Sequence, residues 1–447
     1  KMQIVISGAG EIGLYLAKML VKENHDVSLI DINDTIIKEV DTSSYDLMTV
    51  SGDCTNFSVL KSVNTHTSDL YIAVTNSQDT NILSCIFAKK LGAKKTIARV
   101  NNMEYLNPLN KLNFINLGID KMIYPELLAA KEVVGVIKQT GTTEIFEFSG
   151  GKLTLFVIKL DKNSPILNLN LMDTSKLVHN KSFRAVAIKR LEETIIPRGK
   201  DILQEGDSVY IISTPDGVKD LLKIFGKERH DINNVIFLGG SRISIKASKY
   251  ISQQLKVKII ESDPEKCLKL VEMLPNAMII NGNGRDTDLL LEAGLEKCDA
   301  FVAVTGDSET NLITCILAKR YGVKQTFAEI ENLDYIDIAS KMGIDTIINK
   351  KLIAASNIYT QTMKAEVTSI KCLTGTDAEV LEFVASKNAI ITQNRLKDIN
   401  FPEGVIIGGI VRGKKSFIAM GDTQIKANDR VVLFALPEAI HKIEYYF

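Results

Sequence analysis

The chain has 447 residues, 45 % of them apolar and 24 % charged, and its 54 basic side chains balance 54 acidic ones. That length points to two to four domains rather than one core, and the neutral balance gives no reason to expect nucleic acid or an anionic membrane as a partner. No apolar run reaches the roughly 18 residues that span a bilayer. The amino terminus shows no signal-peptide pattern, and Lys1 ahead of Met2 reads as an added residue. We therefore expect a soluble intracellular protein that serves any membrane process from the water side.

In chain order, the first expected strand is Gln3–Ser7, which runs into Gly8-Ala9-Gly10-Glu11-Ile12-Gly13. A helical pattern follows, with Ile12, Leu16, Met19 and Leu20 on one stripe. A second strand, Asp26–Ile30, ends at Asp31, which completes the opening of a βαβ unit. Further strands are expected at Asp46–Val50, Leu70–Thr75, Lys95–Val100 and Lys121–Ile123, with helices at Asn81–Leu91 and Pro125–Lys138. The style then changes. Leu153–Leu160, Phe183–Lys189 and Ser208–Ile212 read as β runs, the last preceded by the turn residues Gly206-Asp207. The polar stretch Phe225–Asn234 suits a linker.

From Val235 the same text begins again. Asp31 is matched by Glu261, Ala73-Val74-Thr75 by Ala303-Val304-Thr305, Asn81 by Asn311 and Cys85 by Cys315, all at one constant offset. The β runs return as Val405–Ile410, Lys415–Gly421 and Arg430–Ala435. This is an internal duplication. The expected fold is α/β: Rossmann-like parallel-sheet domains at 1–138 and 230–363, alternating with small β-rich α+β domains at 139–229 and 364–447.

The glycine loop follows a strand and opens a helix, the context that gives the fingerprint meaning. Gly8 permits the tight turn, Gly10 lets backbone approach a pyrophosphate, and Gly13 allows close packing of helix on sheet. The free N–H groups of the helix start, at Glu11 and Ile12, point at the phosphates, with Ala9 in the same loop as a cofactor-binding candidate. Asp31 is placed to accept hydrogen bonds from the ribose hydroxyls, and its charge disfavours a 2′-phosphate, so NAD(H) is expected over NADP(H). Asp53, beside Cys54, suits either an adenine contact or the cap of the next helix. Thr75, Asn76 and Asn81 border the same crevice. Arg99 suits either a phosphate partner or a salt bridge.

In the second copy Gly10 and Gly13 become Ser241 and Ser244, Glu329 replaces Arg99, and Glu261 keeps the ribose-type acid. That site is open to three readings: a different nucleotide, weaker binding, or none. The six cysteines form no C-x-x-C pair and lie far from the five histidines, which argues against structural zinc or a disulfide framework. His66 sits on the face expected to point away from the ligand, and no Walker, G-x-S-x-G or H-E-x-x-H sequence occurs. An NAD-dependent oxidoreductase and a purely structural assembly module remain as alternatives. A non-catalytic sensor needs only different affinity in two conformations and fits better.

Taken together, Gly8-x-Gly10-x-x-Gly13, Asp31, Gly52-Asp53, Thr75…Asp79-x-Asn81 and Ala98-Arg99 resemble the cytosolic regulatory subunit of the Trk-type potassium uptake system. That family is built from tandem domains that regulate potassium conductance, known as RCK domains. The resemblance implies NAD(H) as ligand, with ATP or ADP as further effectors. It also implies a homotetramer forming an eight-domain ring at the inner face of the cell membrane, beneath a potassium channel or transporter subunit. Under it, the glycines hold phosphates, Asp31 the ribose, Asp53 and Thr75 the nucleoside, and Arg99 the phosphates. Pro125–Lys138 and Leu352–Met363 become candidate dimerising helices, although each is equally suited to cover its own domain.

Overall fold

The computed structural model describes residues 1–40, 47–138, 144–176, 183–191, 193–217, 221, 225, 232–359, 367–372 and 378–447. The expected boundaries at 138/139, 229/230 and 363/364, most of the expected linker, and the end of Leu352–Met363 lie outside the described residues.

The first repeat opens with β1 (Gln3–Ser7), α1 (Glu11–Lys22), β2 (Asp26–Asp31), α2 (Asp34–Glu39), β3 (Leu47–Ser51), α3 (Phe57–Ser62), β4 (Leu70–Ala73), α4 (Gln78–Leu91), β5 (Lys95–Arg99), α5 (Pro108–Asn116), β6 (Lys121–Ile123) and α6 (Pro125–Lys138). Its strands are parallel and ordered β3-β2-β1-β4-β5-β6. β1 and β4 are near-continuous apolar runs because helices cover both faces of such a sheet. The chain reverses its direction of strand addition between β1 and β4, which opens a crevice at the carboxyl ends of those strands. The glycine loop lies there.

The small antiparallel sheet that follows contains β7 (Glu144–Phe148), β8 (Leu153–Lys159), β9 (Phe183–Arg190), β10 (Glu193–Ile195) and β11 (Ser208–Ser213), with the short helix α7 (Leu171–Lys176), in the order β10-β9-β11-β8-β7.

The second repeat restates both sheets. Its parallel sheet has β12 (Asn234–Leu238), β13 (Lys256–Glu261), β14 (Ala277–Asn281), β15 (Ala300–Ala303), β16 (Gln325–Glu329) and β17 (Thr346–Ile348), ordered β14-β13-β12-β15-β16-β17. Between these strands run α8 (Arg242–Ile251), α9 (Pro264–Met273), α10 (Thr287–Glu292), α11 (Ser308–Arg320) and α12 (Asp334–Lys341), and α13 (Lys350–Tyr359) follows β17. β18 (Val367–Cys372), β19 (Glu379–Val384), β20 (Val405–Arg412), β21 (Lys415–Ile418) and β22 (Arg430–Ala435) make the second small sheet, ordered β18-β19-β22-β20-β21.

The duplication does not divide the molecule at its midpoint. One compact unit combines Lys1–Leu128 with Lys350–Thr362, and the other combines Ala129–Asn349 with Met363–Phe447. In the first unit α13 packs on α1 and β6, so this helix covers the first α/β domain rather than its own. Tyr359, fully buried, donates a hydrogen bond to Glu23 just past the end of α1, and Lys121 Nζ donates to the carbonyl of Asn357 at 2.7 Å. Burial lowers the Lys121 ammonium to about 8. In the second unit the two small sheets share one core, in which Phe148, Leu155 and Ile212 meet Val380, Val411 and Phe434. A Cβ on Gly408 would lie 2.2 Å from the terminal methyl of Ile212, which would have to shift to admit it.

Candidate nucleotide site

The crevice of the first repeat is shaped by three glycines with three different reasons to be glycine. Gly8 has a positive φ of 104°, and a Cβ on it would stand 2.8 Å from the backbone nitrogen of Thr75. A Cβ on Gly13 would stand 1.8 Å from the carbonyl oxygen of Gly8. Gly8 is held to glycine by its backbone conformation, and Gly13 by the close approach of the Gly8 carbonyl in this repeat. Gly10 is not: its backbone is extended (φ −66°, ψ −175°), and a Cβ there would meet nothing within 4 Å. Ser241 occupies the equivalent place in the second repeat with nearly the same backbone (φ −73°, ψ 170°). Neither conformation nor packing demands glycine at position 10. The open space in front of it does, if another molecule's atoms come to lie against the backbone.

Around this space the candidate residues divide into those that face it and those engaged elsewhere. Gly10 is the residue before α1, so the first-turn N–H groups that begin with Glu11 and Ile12 lack helical partners. Asp31 Oδ2 accepts from the Ala9 N–H at 2.6 Å, and Oδ1 accepts from the Asn33 N–H at 2.8 Å. Each oxygen keeps a second lone pair for a hydroxyl, and no basic side chain pairs with Asp31 among the described residues. Asn76 is exposed on the far rim. Thr75 is tied to α4: its hydroxyl donates to Asn81 Oδ1 at 2.7 Å, and Asn81 Nδ2 donates to the carbonyls of Thr75 (3.1 Å) and Arg99 (3.0 Å). Asn81 is therefore a pin that joins the ends of β4 and β5 to α4.

Of the alternatives left by the sequence, Arg99 forms the salt bridge, 3.2 Å from Glu126. Asp53 does not cap α3, whose N-cap is Asn56; its carboxylate accepts from the N–H (2.8 Å) and hydroxyl (2.7 Å) of Thr55. Those bonds hold its pKa below the usual carboxylate range. Cys54 is buried beneath the crevice, bonded to the hydroxyls of Ser7 and Ser84, and burial pushes its thiol pKa up.

In the second crevice the corresponding acid and loop are engaged by the repeat's own side chains. Glu261 repeats the bonds of Asp31, accepting from the N–H groups of Gly240 (2.8 Å) and Asp263 (3.0 Å), but it also pairs with Lys266 at 2.7 Å. The first repeat has Ile36 where Lys266 would fall. Arg285 reaches across to Asp307 (2.5 Å) and Thr310 (2.8 Å). Ser244, at the position of Gly13, donates from Oγ to the Gly239 carbonyl at 2.8 Å. Burial pushes the Glu261 carboxyl up, but the Lys266 ammonium and the two N–H groups outweigh it and bring it to about 2.

A folded pKa below the ordinary 4.5 means that Glu261 stabilises the fold above that pH, and the contribution fades as pH falls towards 2. In urea unfolding between pH 5 and 2, Glu261→Gln should therefore show a shallower acid loss of stability than the parent protein. Parallel curves would contradict this balance.

Comparison with known proteins settles the family. The TrkA-N domain model matches residues 4–125 and 235–350, and the TrkA-C domain model matches residues 155–226 and 380–447. The chain belongs to the TrkA family of potassium uptake proteins. It is 32 % identical to Trk system potassium uptake protein TrkA homolog 1 of Methanosarcina mazei and 33 % identical to the TrkA homolog of Archaeoglobus fulgidus, with 100 % of each chain covered. The GsuK channel shares its fold, with a TM-score of 0.63 at 15 % identity, covering 100 % of this chain and 78 % of that one. The GsuK channel bound to NAD scores 0.61, also at 15 % identity, covering 100 % and 79 %. Family membership places the chain among non-catalytic regulatory subunits and sets aside the oxidoreductase alternative. No described helix is long and apolar enough to cross a membrane.

Proposed function

We propose that this chain is a cytosolic nucleotide sensor that binds NAD(H), with ATP or ADP as further effectors, and gates a membrane-embedded potassium channel or transporter subunit. The observation that carries the reading is the open backbone at Gly10, next to first-turn N–H groups without helical partners and an Asp31 that pairs with no basic side chain among the described residues. Pyrophosphate and ribose are the two groups that such a pair of features receives. The fold is shared with a channel solved with NAD and, at a TM-score of 0.50, with ADP.

In this reading Gly8, Ala9, Gly10, Glu11, Ile12 and Gly13 form the phosphate cradle, Asp31 holds the ribose, and Asp53, Cys54, Thr75 and Asn76 border the nucleoside. Arg99 acts through Glu126. Glu261 is a structural counterpart held by Lys266, so one nucleotide binds per chain. The working assembly is a homotetramer whose eight α/β domains, with domain limits at 138, 229 and 363, form a ring at the inner face of the membrane.

Calorimetric titration of the full chain with NADH, NAD, ADP and ATP tests the ligand. One site per chain is expected, and Asp31→Ala should weaken NADH about tenfold or more, the scale of losing hydrogen bonds to a charged group. Light scattering should give the mass of four chains. A protein that binds none of the four nucleotides would leave only the structural-module alternative.

A further inference from the structure

The crevice has a cation whose placement the loop fingerprint does not explain. Lys351, in the first turn of α13, lies 3.6 Å from Glu11, the first residue of α1. The lysine side chain is only 14 % exposed, whereas the Glu11 side chain is 62 % exposed. Among the described residues Glu11 is its one ionic partner, and 3.6 Å is too long for a hydrogen bond. Lys266 and Glu261, by contrast, close to 2.7 Å.

A largely buried ammonium held loosely beside a helix amino terminus is poorly placed by itself. The helix end carries partial positive charge, which repels a cation, and the three N–H donors of the ammonium want oxygen acceptors. Both problems disappear when an anion occupies the space in front of Gly10. Phosphate oxygens would face helix N–H groups and the lysine together, and the flexible stem of Lys351 lets it leave Glu11 for them.

We propose that Lys351 is a phosphate-binding residue of the first crevice, held in reserve by Glu11 until a nucleotide arrives. The assignment rests on the nucleotide reading above and adds a residue contributed by the second repeat, because Lys350 follows β17 by a single residue. Nucleotide occupancy is thereby tied to the position of α13. Glu11 competes with the phosphates for the same ammonium, so the two partners of this ion pair have opposite effects on affinity.

The test is nucleotide titration of full-length Lys351→Gln, Lys351→Arg, Glu11→Gln and Tyr359→Phe proteins with NADH and ATP. Lys351→Gln should bind about tenfold or more weakly, the range of a charge-assisted hydrogen bond, with ATP losing more than NADH because it carries more phosphate charge. Lys351→Arg should recover most of the loss. Glu11→Gln should bind several-fold more tightly. Tyr359→Phe, which cuts the other tie between α13 and α1, should bind as the parent does. Unchanged affinity in Lys351→Gln overturns the assignment. So does equal weakening in Glu11→Gln or Tyr359→Phe, which would mean that the pair only docks the helix. Absence of binding in the parent protein overturns the crevice reading itself, and this assignment with it.

Discussion

A Gly10→Ser protein should unfold at the same denaturant concentration as the parent and yet lose nucleotide binding by a factor of 100 or more. The stability half of this expectation follows from the internal repeat. Ser241 adopts nearly the Gly10 conformation (φ −73°, ψ 170° against φ −66°, ψ −175°) and uses its hydroxyl to accept from the Ser244 N–H at 3.4 Å, a standard helix cap. The new serine finds open space on every side, and replacing glycine by serine at an N-cap is neutral or favourable by a few tenths of a kcal/mol. The binding half follows from the same open space. A Cβ and hydroxyl there occupy the volume through which a diphosphate reaches the backbone, so direct N–H···O contacts lengthen beyond useful range. Gly13→Ser is the contrasting variant. Its Cβ would overlap the Gly8 carbonyl at 1.8 Å, so the loop must move, and stability and binding should fall together. Chemical denaturation with NADH titration on the two proteins separates these outcomes. Equal NADH affinity in Gly10→Ser and the parent would remove the cradle.

These contrasts also show which features were legible in the sequence. The duplication, the parallel-sheet class and the loop could be read because each leaves a local or strictly periodic mark: a glycine triplet, an acid at a strand end, a constant offset. β7, β18 and β19 left none. β19 reads Glu-Val-Leu-Glu-Phe-Val, and both Glu379 and Glu382 are buried in it, so polar and apolar residues do not alternate. Glu382 is tolerated inside because Ser149 donates a hydrogen bond to it. Asp53 was ambiguous because one residue type serves caps, turns and ligands alike, and only the Thr55 contacts set the helix cap aside. Lys351 was invisible for another reason. It lies 340 positions from Glu11 in the chain, and its role depends on α13 joining the first compact unit, which no local pattern encodes.

The small domains hold the other large effect, at Asp207, which the sequence marks only as a turn residue, and at Asp429, its counterpart in the second repeat. Asp207, 1 % exposed, receives a two-pronged contact from Arg190 at 2.9 and 2.8 Å and the Gln204 N–H at 2.8 Å. Asp429 repeats this with Arg412 at 2.8 and 2.6 Å and the Lys426 N–H at 2.7 Å. The arginines are partly exposed, at 28 % and 36 %, and can regain water when a partner is lost; the aspartates cannot. Removing the arginine should therefore cost more than removing the acid. Arg190→Met or Arg412→Met leaves a buried carboxylate without its counter-ion and should destabilise by about 3–5 kcal/mol. Asp207→Asn or Asp429→Asn keeps an acceptor for the turn N–H and should cost about half as much. Because the contacts are sheltered, the losses should change little between low and high salt. Urea denaturation of the four variants at two ionic strengths reads both the order and the salt response. If the asparagine variants lost more than the methionine variants, the buried acid would not be what the arginine holds in place. If the losses vanished in salt, the pairs would be ordinary surface contacts.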